Sequence, residues 1–104
     1  MKRTAFRMKL NKGFADEYKR RHDEIWPELE ALLRKYGVED YSIFLDSDNG
    51  DLFGVLQAKD PDRLKTIGAE PVMKKWWAFM KDIMETNDDG SPVSFDLKEV
   101  FHLP

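Results

Sequence analysis

At Leu10 the hydrophobic period of the chain changes from two residues to about 3.6, and the order in which that change recurs along the sequence restricts the folds open to it. From Arg3 to Leu10, the residues Thr4, Phe6, Met8 and Leu10 fall on one side and Arg3, Arg7 and Lys9 on the other, as in a half-buried strand. Over residues 14 to 36, Phe14, Ala15, Tyr18, Ile25, Trp26, Leu29, Leu32, Leu33 and Tyr36 share a sector of roughly 120° on a helical wheel. This predicts an amphipathic helix closed by Gly37, a residue suited to a left-handed C-terminal cap. Pro27 lies inside that span, lacks an N–H and crowds the turn before it. The helix is therefore expected to bend or restart there, its two halves sharing one buried side.

The strand period returns at Tyr41, Ile43 and Leu45, with Tyr41 beginning the second strand. Asp46 to Asp51 carry turn chemistry, Asn49-Gly50 being a hairpin signal that the flanking residues could lengthen, and Leu52 to Lys59 form the returning strand. Asp60-Pro61 opens a short helix to about Ile67, and Pro71 opens another to about Met84. In the latter, Val72, Met73, Trp76, Trp77, Phe79, Met80, Ile83 and Met84 occupy one side, and Lys74, Lys75, Lys81, Asp82 and Glu85 the other. Ser94 to Pro104 are expected to form the last strand. The order strand, helix, strand, strand, helix, strand is the split βαβ arrangement of the ferredoxin-like α+β fold, with residues 1–104 as one domain and a four-stranded antiparallel sheet. Helices on one face leave the other apolar face needing cover, so a homodimer is expected.

Composition removes several classes of function. The net charge is -3, and the 17 basic and 20 acidic residues are interspersed, so no basic stripe suits a phosphate backbone and no nucleic-acid partner is expected. With no cysteine, disulfides, thiolate metal sites and a cysteine nucleophile are all absent. The basic start lacks the continuous apolar core of a signal peptide, and no apolar run approaches the roughly 20 residues that span a bilayer. A cytoplasmic protein with no membrane partner is expected.

Two histidines are the only side chains whose ordinary pKa lies near neutrality. His22 falls between Leu29 and Leu33 on the wheel, an ionisable ring on a side otherwise made of core residues. It is either a neutral core histidine satisfied by a backbone carbonyl and a side chain, or a proton-transfer group. Tyr18 lies one turn earlier, so phenol and imidazole point the same way and together could bind a hydroxyl-rich ligand. Trp76 sits within the apolar sector of its helix, a core position by default, whereas Trp77 sits at the edge, where a flat ring and an N–H suit stacking on a sugar. Tyr41 shares the inward phase of Ile43 and Leu45. His102 reads as an edge or surface residue. No metal-ligand spacing, Gly-rich phosphate loop or GxSxG motif occurs.

The blocks EYKRRHDEIWPELEALL, KKWWAFM and SPVSFDLKEVFHLP resemble the L-rhamnose mutarotase family, and the resemblance extends from the first strand to the final proline. It implies a dimeric α+β barrel that interconverts the α and β anomers of L-rhamnose without a cofactor. It further implies His22 as the acid/base and Tyr18, Tyr41, Trp76 and Trp77 as sugar contacts. Asp23-Glu24 is a departure, more acidic than the Asn-Pro of some relatives. The fold also hosts small haem or quinol-type monooxygenases, and a non-catalytic sugar- or metabolite-binding module is a third reading.

Overall fold

The computed structural model describes residues 1–104. Its elements are β1 (Lys2–Lys9), α1 (Ala15–Asp23), α2 (Pro27–Lys35), β2 (Val38–Asp46), β3 (Asp51–Ala58), α3 (Pro61–Leu64), a 3₁₀ turn (Ile67–Ala69), α4 (Pro71–Met80) and β4 (Phe95–Leu97). The strands form one antiparallel sheet in the order β2-β3-β1-β4, the ferredoxin-like order expected from the element sequence.

The helix expected over residues 14 to 36 is two helices. Trp26 is extended, with φ -63° and ψ 133°, as a residue before proline prefers, and Pro27 then takes the first position of α2, where a missing N–H costs nothing. Tyr18, Leu29, Leu32 and Tyr36 nevertheless share one core, so the buried side continues across the break. The hairpin between β2 and β3 is a longer turn than two residues: Gly50 N–H closes it on the Asp46 carbonyl at 2.8 Å. Gly50 is needed there on two counts, its φ of +80° and the Leu10 carbonyl oxygen 2.8 Å from where a Cβ would stand.

Three expectations are corrected. Strand β2 begins at Val38, before Tyr41. Helix α4 ends at Met80 and not near Met84, because the chain turns back to the end of β1, with Asn11 N–H donating to the Ile83 carbonyl and Leu10 bridging Met84. Ile83 is still wholly buried, so the apolar phase that suggested helix reports burial and not helicity. The last strand is only Phe95–Leu97, paired with Ala5–Arg7, and residues 98–104 have no neighbouring strand.

Pairing register divides the sheet into two faces. Met8, Leu52, Leu56 and Ala58 point under the helices, where Met73, Trp76, Met80 and Met84 complete the core. The opposite face carries Ala5, Phe44, Phe53, Val55, Phe95 and Leu97, with the Arg7 guanidinium 5.0 Å over the Phe95 ring. Phe44 there is 63 % exposed.

Candidate active site

Between the inner sheet face, α1, α2 and α4 lies an open cavity of about 1170 Å³, and His22, Tyr18, Tyr41, Trp76 and Trp77 all line it. Helix α1 supplies the first two. Their i,i+4 spacing puts the rings on one face, with centroids 4.3 Å apart and planes tilted by 30°. His22 Nδ1 lies 3.0 Å from the Tyr18 carbonyl oxygen. A carbonyl only accepts, so Nδ1 carries the hydrogen, and neutral His22 keeps its lone pair on Nε2. Nε2 has no protein hydrogen-bond partner and is not sealed away. Burial holds the imidazole below its ordinary pKa, against the smaller opposing effects of the Tyr18 carbonyl and the Asp23 charge. The side-chain partner expected of a satisfied core histidine is therefore missing, although the backbone partner is present.

Tyr41 reaches the cavity through a β-bulge. Val38 pairs with Ala58 and Ser42 with Val55, so Asp40 and Tyr41 together oppose the single residue Leu56. Asp40 absorbs the extra residue in a left-handed conformation with φ +51°. That shift of phase puts Tyr41, Ile43 and Leu45 on the same inner face as Val38. Without it Tyr41 would point outward. Tyr41 as a whole residue is 37 % exposed, and its ring packs edge-on against Phe6 at 6.1 Å. Burial pushes its phenol up, as it does the phenol of Tyr18. Both groups thus stay protonated through the neutral range and can donate as well as accept hydrogen bonds.

Helix α4 supplies the two tryptophans. Trp76 is buried and stands perpendicular to His22 at 5.3 Å and to Trp26 at 5.1 Å. It is at once core and site wall. Trp77 is half-buried beside the 3₁₀ turn. Arg21 fastens α1 to the end of α4. Its Nη1 donates to the Phe79 carbonyl at 2.8 Å, Nη1 and Nη2 hold the Asp82 carboxylate at 2.9 and 3.2 Å, and its guanidinium covers the Phe79 ring at 4.5 Å. Glu17 receives Arg21 Nε at 2.6 Å from the other side. His102 lies outside the cavity, exposed, with Nδ1 2.7 Å from Arg3 Nη1.

Sequence reasoning did not single out Phe6, Trp26 or Arg21 as contributors to this site. Phe6 and Trp26 read as ordinary core positions, and Arg21 as part of a solvated charged run. The signal for Arg21 was its placement on the wheel beside the apolar sector, where a long side chain can lie along a neighbouring helix.

The L-rhamnose mutarotase family model matches residues 3–103. An L-rhamnose mutarotase of Brucella anthropi is 61 % identical over 102 residues, covering 98 % of this chain and 96 % of that protein. One of Agrobacterium fabrum is 58 % identical over 104 residues, covering 100 % and 97 %. Among solved structures, an L-rhamnose mutarotase from Formosa agariphila superposes with a TM-score of 0.91 at 47 % identity over 100 % of both chains. A protein described as a putative antibiotic biosynthesis monooxygenase from Nitrosomonas europaea shares the fold alone, with a TM-score of 0.59 at 12 % identity, covering 95 % and 89 %.

Proposed function

Because this chain belongs to the L-rhamnose mutarotase family, we propose that it interconverts the α and β anomers of L-rhamnopyranose, with His22 moving the protons. The observation that carries the mechanism is the tautomer of His22, a residue that lines the cavity: Nδ1–H is committed to the Tyr18 carbonyl, and Nε2 has no protein partner.

Nε2 takes the proton of the C1 hydroxyl, the C1–ring oxygen bond breaks, and the ring oxygen receives a proton to give the open-chain aldehyde. Both oxygens are bonded to C1, so one imidazole can serve both, directly or through a water molecule. Rotation about C1–C2 and the same steps in reverse close the other anomer, and His22 ends in its starting state. General acid/base help of this kind contributes about 10² to 10⁴-fold. Burial favours the neutral, proton-accepting form of His22 at neutral pH, and the Tyr18 carbonyl steadies the imidazolium while it lasts. Tyr18 and Tyr41 hydrogen-bond sugar hydroxyls as protonated phenols, while Trp76 and Trp77 pack on apolar faces of the sugar.

The apolar outer sheet face is the surface through which two copies would pair. Exchange between the two anomeric proton signals of L-rhamnose, read by NMR saturation transfer with and without protein, tests the activity. Acceleration that follows protein concentration is expected. Binding without acceleration would reduce the protein to a sugar-binding module.

A further inference from the structure

We propose that Gly68 is a positioning residue for the sugar site: its bare backbone is the seat that sets how far the Trp77 indole projects into the cavity. The inference rests on the functional reading above for the role of Trp77, and on the contact between Gly68 and the indole for the seat itself. A Cβ built on Gly68 would stand 2.5 Å from Cη2 and 2.9 Å from Cζ3 of Trp77, closer than carbon atoms approach one another. Gly68 is in the middle of the 3₁₀ turn Ile67–Ala69, and its φ is not in the left-handed region. Any residue could adopt that backbone, and glycine gives away chain entropy that alanine would keep. The contact with the indole is the remaining reason for glycine there.

The consequence follows from the layout. Gly68, Ile67, Trp76 and Trp77 all border the cavity, and the 3₁₀ turn lies directly before α4. The six-membered edge of the indole is pressed onto the turn, so Trp77 stands back by the thickness of the missing methyl. A methyl at Gly68 forces the ring toward the space the sugar needs, or forces the turn off α4. The same device recurs across the cavity at Gly54 in the centre of β3. There a Cβ would meet Cε2 of Phe6 at 2.7 Å, and Phe6 is the ring against which Tyr41 stands edge-on. Two aromatic groups on opposite walls are thus each set, directly or through one neighbour, by a glycine whose backbone does not require one.

The test is a double-mutant cycle with an independent structural readout. Gly68→Ala in the native background is expected to raise the apparent KM for L-rhamnose by about three- to tenfold, within the coupling range of touching residues. The exchange rate at saturation is expected to stay within about twofold, because His22 is untouched. Added to Trp77→Phe, whose smaller ring leaves room for the methyl, Gly68→Ala is expected to leave KM where Trp77→Phe alone puts it. The same factor in both backgrounds, or no change in either, overturns the proposal. Without any sugar, the indole N–H resonance of Trp77, assigned by its loss in Trp77→Phe, is expected to shift in Gly68→Ala more than those of Trp26 and Trp76. An unmoved Trp77 signal overturns the seat even if native protein exchanges rhamnose, whereas a moved signal in a protein that exchanges no rhamnose sinks only the functional reading. Should Gly68→Ala fail to fold, rescue by Trp77→Phe sustains the seat and failure in both backgrounds rejects it.

Discussion

A histidine with one nitrogen committed to a backbone carbonyl has one nitrogen left for chemistry, and burial decides its charge. Because burial lowers the pKa of His22 in the folded chain, proton uptake favours the unfolded state. The stability contributed by the neutral ring is complete above the unfolded value of about 6.5 and is lost as pH falls below it. Catalysis is expected to follow the same direction. The exchange rate at low rhamnose concentration should be flat above about pH 6.5 and fall, with the slope of a single proton, only below it. No loss on the alkaline side is expected from Tyr18 or Tyr41, since burial moves both phenols upward. A rate that rises as pH drops from 7 to 5.5 would reverse the assigned role, making the imidazolium the active form. At this scale much of the site was legible: Tyr18 and His22 at i,i+4 announced a shared direction, and the tryptophan doublet announced one ring inside and one at the edge. The tautomer was not legible, because it depends on which carbonyl the ring folds back upon.

At the scale of elements, the site is assembled from α1, α4 and β2, and the joints between them carry information that periodicity does not. Arg21 ties α1 to the last turn of α4 through a carboxylate, a carbonyl and a ring, which fixes the separation of His22 from Trp76. Arg21→Met keeps the stem that lies along Phe79 and removes every donor. Thermal unfolding is expected several degrees lower, with a further loss in the exchange rate at saturation because the wall behind His22 loosens. An unchanged melting temperature would show that the helices are docked by the apolar core alone. The element order and Pro27 were readable from the chain, since a proline followed by a continuing apolar phase implies a restart. The bulge at Asp40 was readable in principle: Val38 and Tyr41 cannot share a face by simple alternation, and both are apolar. The final strand was overread because Val100, Phe101 and Leu103 look like strand residues, yet no strand lies beside them. Apolar alternation reports what needs covering, not which element covers it.

For the whole molecule, the outer sheet face is the apolar surface that a single chain leaves exposed. Phe44, Phe53, Val55, Phe95 and Leu97 form an apolar field interrupted by Arg7, more than a lone surface residue would explain. On the dimeric reading, light scattering is expected to give twice the chain mass of 12.2 kDa. Phe44→Asp, which places a charge at the β2 edge of that field on its most exposed phenylalanine, is expected to shift the particle toward 12.2 kDa. A native protein that scatters as a single chain at micromolar concentration would leave that face uncovered and remove the dimer from the account. The need for cover was visible in the two-sided apolar pattern of the strands.

Proton transfer by His22 is tested most directly by saturation-transfer exchange of L-rhamnose anomers with His22→Ala beside the native protein. The variant, folded by circular dichroism and still binding the sugar, is expected to lose about 10² to 10⁴-fold and approach the uncatalysed rate. Exchange at the native rate in that variant would contradict the mechanism and return His22 to the core.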